Sequence, residues 1–332
     1  MAAHTNSFVR TFSNVSRASA RSKTTSDSVD VVQNRMPEHH YYRTLWWEKG
    51  DFHQKANWKE ATLPYTLAVG VTLDEYERRS DKFNVRGYWE WVDYKVIIYE
   101  LPSKPHETLI GAIISEIVEK CLPVKRTDAS IGNLGAIRTR ADNSGKEADA
   151  CFRPSKPRVR PPNGCDEQDE PWPNLVVEVA HSESEEHVLE KVKDYWLGNL
   201  SRVHDAIVVK IGEAPLGQPP LWMQAWHFCV SDRPRRTADI QPRTYFEFGT
   251  HDQYGNPTNI IPGQCVINIS LDCLYHDAFP RITIHRQLLP DSIVFDFLLI
   301  RDEFLPHLEK NLLETEINVS SASQPKKDLP KA

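Results

Sequence analysis

The sequence predicts an α/β fold in which helices cover a mixed central sheet. Segments with helical and strand patterning follow one another in the order helix, strand, strand, strand, helix, strand. Residues 106–121 carry an apolar stripe with the 3.6-residue period of a helix. Residues 174–180 and 205–211 are nearly continuous apolar runs, as expected of strands buried on both faces. This combination is typical of an α/β sandwich.

Composition limits the classes of protein to consider. The chain has 332 residues, of which 40% are hydrophobic, enough for a substantial core in one large or two smaller domains. A mean hydropathy of −0.52 argues against a membrane span, and so does the lack of any apolar run near about 18 residues. The net charge of −6 gives no overall attraction to nucleic acid, so such binding would need a local basic surface.

Cysteine usage predicts a reducing compartment. The chain has six cysteines and no C-x-x-C motif, and two of the six lie in apolar strand-like runs, as buried thiols do. The pattern therefore predicts no structural zinc. The cysteines are Cys121, Cys151, Cys165, Cys229, Cys265 and Cys273.

Both ends of the chain differ from the middle. Residues 1–34 contain no acidic residue before Asp27, and their arginines and apolar side chains would fall on opposite faces of a helix. Such a segment fits either mitochondrial targeting by residues 1–26 or a disordered tail, and without targeting we expect the cytoplasm or nucleus. Residues 35–71, rich in aromatics, are expected to brace the core, and residues 316–332 to be a disordered tail.

The first part of the predicted core contains two helices and a strand pair. Thr72 and Glu75 form a capping box, which predicts a short helix. Residues 87–101 are patterned as two paired strands. Pro105 fits the first turn of the helix over 106–121.

The second part of the predicted core supplies the remaining strands and another helix. Ser182 and Glu185 form a second capping box, before a helix with Val188, Val192 and Trp196 on its apolar face. The segments predicted as strands are 130–140, 147–153, 174–180 and 205–211.

The predicted core spans residues 72–231, and residues 232–315 form a β-rich C-terminal extension. The extension either lengthens the central sheet or forms a separate unit, and a final helix is expected after Asp302. Strand patterns recur at 221–230, 244–249, 265–274 and 293–300.

Two acids in apolar surroundings are the most informative residues. Glu178 lies within the run 174–180, where an ionised carboxylate needs a charged partner, water or a cation. Asp149 lies in a comparable segment, 147–152. If the two strands are adjacent and in register, both carboxylates face one cleft, where they and the carbonyl of Val179 are suited to Mg²⁺. The alternative is that both acids form buried ion pairs with lysine or arginine.

These residues, in this order, resemble the PD-(D/E)XK nuclease superfamily, and within it the restriction endonuclease-like branch. Residues 100–107 are similar to that branch's junction between a strand and a helix that opens with a histidine, here His106. Asp149 stands where the family has its Pro-Asp strand, and Glu178 where it has its glutamate strand. The resemblance covers about residues 72–212 and implies a restriction-endonuclease-like αβββαβ core, a Mg²⁺ or Mn²⁺ cofactor, and metal ligation by both acids.

The chain departs from the superfamily pattern at one catalytic position. The lysine expected two residues after the glutamate is Ala180 here. In this branch the lysine comes from the following helix, so the resemblance implies Lys191, paired with Tyr195, or its rival Lys193. His106 is a further catalytic candidate or an ordinary helix-start residue. A first-helix acid that some members use would be Glu107 or Glu116.

Basic residues beside the acids are candidates for phosphate contact. Four cations lie on a Pro-punctuated segment between the two acidic strands, although a solvated insertion has the same composition. They are Arg153, Lys156, Arg158 and Arg160. A second basic cluster contains Arg233, Arg235 and Arg236.

The sequence therefore predicts a Mg²⁺-dependent nuclease acting on nucleic acid, with DNA as the expected substrate. The alternatives are a nuclease-like binding module without turnover, favoured by Ala180, and a structural protein with ion-paired acids. We expect no membrane partner, and a homodimer is compatible with the sequence.

Overall fold

The structure is a computed structural model, and it describes only part of the chain. The predicted targeting segment 1–34 and the predicted tail 316–332 lie outside the described residues. Within the described part, no helix is long and apolar enough to cross a bilayer. The described residues are 43–49, 62–83, 88–101, 103–141, 144–155, 158–159, 172–215, 218–235, 238–279 and 285–308.

Two larger sheets and two small strand pairs organise the described residues. We call the antiparallel sheet of order β1-β3-β2-β6-β5 the N-terminal sheet, and the mixed sheet of order β12-β11-β10-β9-β7-β4 the central sheet. Strand β13 pairs with β15, and β8 pairs with β14. The strands are β1 (Tyr65–Val69), β2 (Trp89–Val92), β3 (Lys95–Ile98), β4 (Ile131–Gly135), β5 (Arg138–Ala141), β6 (Ser144–Glu147), β7 (Ala150–Pro154), β8 (Arg158–Val159), β9 (Leu175–Ala180), β10 (Asp205–Ile211), β11 (Met223–Cys229), β12 (Thr244–Glu247), β13 (Val266–Ser270), β14 (Ala278–Phe279) and β15 (Ser292–Asp296).

The first three helices lie where the sequence patterns predicted them, but the predicted strands 265–274 and 293–300 are too long, because each gives way to a helix, at Leu271 and at residue 297. Helix α3 continues directly into a π-helical turn, Lys191–Trp196, and another π-helix, Arg43–Glu48, precedes β1. The helices are α1 (Leu73–Phe83), α2 (Lys104–Lys120), α3 (Glu185–Glu190), α4 (Leu271–Leu274), α5 (His285–Leu288) and α6 (297–308).

The central sheet confirms the predicted mixed α/β class and the αβββαβ order. The order along the chain is α2, β4, β7, β9, α3, β10, and these four strands are neighbours in the order β10-β9-β7-β4. Strands β9 and β10 are parallel because α3 crosses between them, whereas β7 runs antiparallel to both β4 and β9. Glu178 therefore lies in an interior strand of the sheet.

The predicted single strand over 130–140 is wrong. The segment divides into β4 of the central sheet and β5 of the N-terminal sheet. Gly135, with φ +62°, lies at the change of direction, in a conformation that residues with a side chain rarely adopt. Strand β5 pairs with β6 in a hairpin, and β6 pairs with β2, so this insertion joins the two sheets.

Alternation along β9 assigns its side chains to two different cores. Val177 and Val179 pack in the core that contains Leu109 of α2. Val176 and Ala180 pack in the core that contains Val192 and Trp196. Glu178 therefore points toward α3 and its π-helical turn.

The segment 232–315 both lengthens the central sheet and adds a separate strand pair. Strand β12 pairs with β11 and forms one edge of the central sheet, while within the described residues β13 and β15 pair only with each other. Ile267 and Phe295 from that pair lie in the same core as Leu109. The last helix begins at residue 297 rather than after Asp302, because Asp296 Oδ1 accepts a hydrogen bond from the amide of Leu298 (3.0 Å) and ends the strand.

The predicted capping box at Ser182 is also wrong. Ser184 caps α3, and its hydroxyl accepts a hydrogen bond from the amide of His187 (3.2 Å). Ser182 instead accepts from the amide of Leu101 (2.7 Å) and donates to Glu100. Both serines precede acidic residues, so the sequence pattern alone permitted either as the cap.

We predict that Ser184→Ala lowers the free energy of unfolding by about 1 kcal/mol, because the first turn of α3 loses its side-chain acceptor. Ser184→Asp should retain most of the stability, since aspartate is an equally good cap. Urea unfolding followed by circular dichroism measures both. Equal stability of the alanine variant and the unmutated protein would contradict this assignment of the cap.

Candidate active site between the two sheets

Glu178 is held by two donors that come from the helix following its strand. Its Oε2 accepts a hydrogen bond from Lys191 Nζ (2.9 Å), and its Oε1 accepts one from the indole N–H of Trp196. The side chain is only 1% exposed. Both carboxylate oxygens are therefore satisfied away from solvent.

Lys191 links the two sheets. It is the first residue of the π-helical turn, and it is buried. Its Nζ lies 2.9 Å from Glu178 Oε2 in the central sheet and 3.4 Å from Glu90 Oε1 in β2 of the N-terminal sheet. One ammonium group thus neutralises a carboxylate from each sheet.

Glu90 is the centre of a larger charged group. Besides Lys191, it binds Lys146 from β6, and its Oε2 lies 3.7 Å from His187 Nε2. Glu183 Oε1 accepts a hydrogen bond from the other ring nitrogen of His187, Nδ1. We call these residues and Glu178 the acid–lysine cluster: Glu90, Lys146, Glu178, Glu183, His187 and Lys191.

Part of the acid–lysine cluster has the spacing of a cation site. Ligand atoms of Glu90, Glu183 and His187 all lie within 4.8 Å of one another. Carboxylate oxygens with an imidazole are a donor set suited to Mg²⁺ or Mn²⁺. In the structure, positive charge at these oxygens comes from Lys146 and Lys191 instead.

Asp149 lies beside the acid–lysine cluster, in the bend before β7 rather than in a strand. Its Oδ2 accepts a hydrogen bond from the amide of Val179 (2.7 Å) and lies 3.5 Å from His106 Nε2. Asp149 and Glu178 lie near enough to interact electrostatically, but the predicted opening to solvent is wrong at Glu178, which is 1% exposed with both oxygens hydrogen-bonded. The side chain of Asp149 is 11% exposed.

Burial and surrounding charge shift the pKa values of these groups in opposite directions. Burial raises the pKa of Glu178 to about 8, Lys191 opposes the shift, and Asp149 and Glu183 add to it. Burial also disfavours ionisation of Glu90, but Lys146 and Lys191 outweigh it and bring its pKa to about 2. Glu90 is therefore the carboxylate that remains charged, and Glu178 is the one poised to hold a proton.

The two cationic candidates next to these acids are held in their charged forms. Burial alone would lower the pKa of Lys191, yet Glu178 and Glu90 raise it well above its ordinary value. Burial likewise works against the charged form of His106, but Asp149 raises its pKa well above the ordinary value. His106 is thus the charge partner of Asp149 as well as a first-turn residue of α2.

The other candidates from the sequence lie apart from the acids. Lys193 places its ammonium 5.8 Å from the ring of Phe228, so Lys191 is the lysine that reaches Glu178. Tyr195 donates its hydroxyl proton to the carbonyl of Thr139 in the inserted hairpin (2.6 Å). Of the two first-helix acids, Glu116 contacts Lys120, whereas Glu107 accepts from the hydroxyl of Tyr88 and lies 3.4 Å from Nδ1 of His106.

The basic candidates are only partly described. Arg153 lies in β7, and the backbone of Arg158 pairs with that of Phe279, which attaches this segment to the C-terminal part. Lys156 and Arg160, and Arg236 of the second basic cluster, lie outside the described residues. In that second cluster, Arg235 is exposed, while Arg233 donates hydrogen bonds to the backbone carbonyls of Leu197 and Ala238.

Sequence reasoning missed four members of the acid–lysine cluster and an acid that orients it. Glu90 carries the same signal as Glu178, since it stands between Trp89 and Trp91 in a buried strand. The others gave no local signal, because their contacts depend on how the two sheets meet. The missed residues are Glu90, Lys146, Glu183, His187 and Glu100.

Glu100 fixes the turn between β9 and α3. Its carboxylate accepts hydrogen bonds from three consecutive amides, those of His181 (2.9 Å), Ser182 (3.0 Å) and Glu183 (2.8 Å). Lys210 closes the same turn, since its Nζ donates to the carbonyls of His181 (2.6 Å) and Glu183 (2.8 Å). The start of α3, and with it the direction from which Lys191 approaches, is set by these bonds.

Comparisons with known proteins give a distant likeness to a solved structure. No protein-family model matches the chain, and no curated protein matches it. Among solved structures, the chain is similar to a "putative nuclease belonging to DUF820" from Anabaena variabilis ATCC 29413, with 12% identity and a TM-score of 0.34. The alignment covers 52% of this chain and 83% of that one. A likeness this distant carries no conclusion about activity, so the function must be argued from the residues themselves.

We predict that Lys191→Met lowers the free energy of unfolding by roughly 3–5 kcal/mol, because Glu178 and Glu90 lose their shared buried cation. Lys193→Met is the matched control, with the same chemical change two residues away, and should cost less than about 1 kcal/mol. Chemical denaturation of both variants measures the difference. Similar losses for the two lysines would show that the buried bridge to Glu178 and Glu90 is not the stabilising contact.

We also predict that Glu178 makes stability depend on pH. Its pKa of about 8 in the folded chain lies above the ordinary 4.5, so the folded state holds a proton that the unfolded state has released. The resulting stabilisation is complete below about pH 4.5 and is lost as the pH rises through about 8, with a slope of at most about 1.4 kcal/mol per pH unit. Glu90, with its lowered pKa, acts only below this window.

Urea unfolding at several pH values between about 5 and about 8 tests this assignment. Glu178→Gln should flatten the decline in stability across that window, and Glu116→Gln should leave it unchanged. If the slope is the same in the Glu178 variant and the unmutated protein, Glu178 is ionised throughout.

Proposed function

We propose that this protein is a Mg²⁺- or Mn²⁺-dependent nuclease that hydrolyses phosphodiester bonds of nucleic acid, with DNA as the expected substrate. The observation that carries the proposal is the contact of Lys191, from the helix after β9, with Glu178 inside that strand. In an αβββαβ core, this arrangement supplies from a helix the lysine that the superfamily pattern places at position 180. The proposal rests on this geometry together with the motif resemblance in the sequence.

Lys191 is the residue best suited to stabilise charge that develops on a phosphoryl group. Its ammonium is held between Glu178 and Glu90, so its charge is fixed in position before substrate arrives. Lys210, the partner of Ala180 in the adjacent strand, is occupied by the carbonyls of His181 and Glu183. Lys146 contacts Glu90, and Lys191 is the lysine that contacts both Glu90 and Glu178.

The acids around Lys191 would hold the metal. With Glu178 ionised, four carboxylates lie in or beside the acid–lysine cluster against Lys146, Lys191 and the His106 that pairs with Asp149, so one negative charge is left to favour a cation. A bound divalent ion would polarise a phosphoryl oxygen and lower the pKa of an attacking water. Asp149 is paired with His106, which would position its carboxylate and hold a proton beside it. The four carboxylates are Glu90, Asp149, Glu178 and Glu183.

One observation favours the alternative of a nuclease-like module without turnover. Glu178 is 1% exposed and both of its oxygens accept hydrogen bonds, so it meets a substrate phosphate only after the cluster rearranges. A cluster that never opens would be a buried ion pair with a structural role. The two functions differ in a measurable property, because only the nuclease must bind a divalent ion at these acids.

We predict that the purified protein cuts plasmid or single-stranded DNA in the presence of Mg²⁺ or Mn²⁺. Lys191→Met and Glu178→Gln should each reduce cleavage by about a hundredfold or more, because each removes a group that acts on the reacting phosphate. Lys193→Met and Glu116→Gln should retain activity. Gel electrophoresis of the products measures all four, with circular dichroism to confirm that each variant is folded.

Titration calorimetry with Mn²⁺ separates the two functions. Binding that disappears in Glu178→Gln, together with cleavage, supports the nuclease. Absence of both binding and cleavage in the folded, unmutated protein would overturn it in favour of the module. Cleavage that persists in folded Glu178→Gln would show that the activity does not come from the proposed site and belongs to another component of the preparation.

A further inference from the structure

A second group of ligand-type side chains lies outside the acid–lysine cluster. The thiols of Cys229 and Cys273 are buried, with their sulfurs 3.6 Å apart. A ring nitrogen of His204 and these two sulfurs all lie within 4.8 Å of one another. The nuclease function does not use these residues.

The three residues come from three separate segments. His204 directly precedes β10, Cys229 is the last residue of β11, and Cys273 lies in α4 of the C-terminal part. The group therefore spans the central sheet and α4. Its members lie far apart in the sequence, so a search for a C-x-x-C motif misses them.

The sulfur separation fits a shared metal ion. Two thiolates on a tetrahedral Zn²⁺, with Zn–S bonds of about 2.3 Å, lie about 3.8 Å apart. The observed 3.6 Å is close to this value, whereas a disulfide would bring the sulfurs to about 2.05 Å. Two thiols and an imidazole are a soft donor set, which selects zinc and similar ions over Mg²⁺.

Backbone contacts position the ligand residues without using their thiols. Asn174 Nδ2 donates to the carbonyls of Cys273 (3.4 Å) and His276 (2.9 Å), and Arg202 also donates to the carbonyl of His276 (2.7 Å). The amide of Val230 donates to the carbonyl of His204 (2.9 Å), which ties the end of β11 to the start of β10. The three ligands are thus presented by segments that other bonds already hold.

The surroundings offer further negative charge and leave the fourth position to water. Asp205 is fully buried, its Oδ1 lies 2.8 Å from His227 Nε2, and its Oδ2 has no hydrogen-bond partner among the described residues. A cation nearby would offset that carboxylate and the two thiolates. The ring of His276 lies 3.8 Å from that of His204 but is not among the three grouped ligands, so water is the candidate for the fourth position.

We propose that Cys229, Cys273 and His204 bind a structural zinc ion that ties α4 to the edge of the central sheet. This site is distinct from the acid–lysine cluster and takes a different class of metal. It replaces the sequence-based expectation of no structural zinc, because the fold gathers ligands that no short motif contains. Zinc bound here stabilises the packing of the C-terminal part on the sheet.

The full chain, purified under reducing conditions and dialysed, tests the proposal by metal analysis. We expect one zinc per chain, and a lowering of zinc affinity by about a hundredfold or more in Cys229→Ser and Cys273→Ser. Cys265→Ser and Cys121→Ser, at other buried cysteines, are the matched controls and should keep the metal. Glu178→Gln should also keep it, so failure of the nuclease proposal leaves this test intact.

The unmutated protein provides a second measurement in case the serine variants do not fold. Cobalt(II) added to the zinc-free protein should produce a thiolate-to-metal charge-transfer absorption. Zinc should protect Cys229 and Cys273, but not Cys165, from alkylation read by mass spectrometry. Absence of both effects overturns the proposal. A disulfide between Cys229 and Cys273 would also overturn it. Mass spectrometry would show this as a mass lower by two hydrogens, with no metal bound.

Discussion

The ammonium of Lys191, shared between Glu178 and Glu90, is the interaction on which the arrangement of the two sheets depends. Each carboxylate comes from a different sheet, and neither reaches solvent. Removing such groups from water costs several kcal/mol per ion unless a partner is close. The two sheets can therefore pack against each other only in an orientation in which Lys191, directly after α3, meets both acids. Hydrophobic packing on either side tolerates small shifts, whereas this hydrogen-bonded geometry does not.

Glu100 makes that meeting possible by fixing where α3 begins. Three consecutive amides after β9 point at its carboxylate, and a carboxylate that accepts several backbone bonds holds a turn more firmly than a neutral acceptor. The π-helical turn then begins at Lys191 itself. A turn of this kind carries one residue more than an α-helical turn, and such turns are frequent at functional sites. Two features therefore fix the position of Lys191. One is the anchored turn before α3, and the other is the local widening of the helix at Lys191 itself.

Local patterns were sufficient for much of the fold and for part of the site. The apolar periodicity of α2 and the apolar runs of β9 and β10 are visible in short stretches of sequence. The bounds of this helix and these strands were therefore predicted within a few residues. Asp149 and Glu178 were found because a charged group stands out in an apolar stretch of sequence, whereas Lys191 was implied by the family resemblance, with Lys193 as its rival. Glu90 gave the same signal but lay in a strand pair whose partner sheet was not predicted.

What the sequence did not predict depends on contacts between distant segments. The break between β4 and β5 requires knowledge that β6 pairs with β2, a contact across about fifty residues. The grouping of His204 with Cys229 and Cys273 requires the antiparallel pairing of β10 with β11 and the docking of α4. The cap at Ser184 rather than Ser182 follows from the competing bonds of Ser182 to Leu101 and Glu100. In each case a long-range contact decided between options that were locally equivalent.

The charge balance of the acid–lysine cluster connects its structural and chemical roles. Three glutamates face two lysines, so the cluster holds one more acid than base, while Asp149 beside it is paired with His106. The protein relieves this imbalance by raising the pKa of Glu178, which lets one carboxyl take up a proton. A divalent cation would relieve the same imbalance without the proton, and it would favour the ionised form of Glu178. The excess of buried negative charge that makes the closed cluster costly is therefore also the feature on which the proposed metal binding depends.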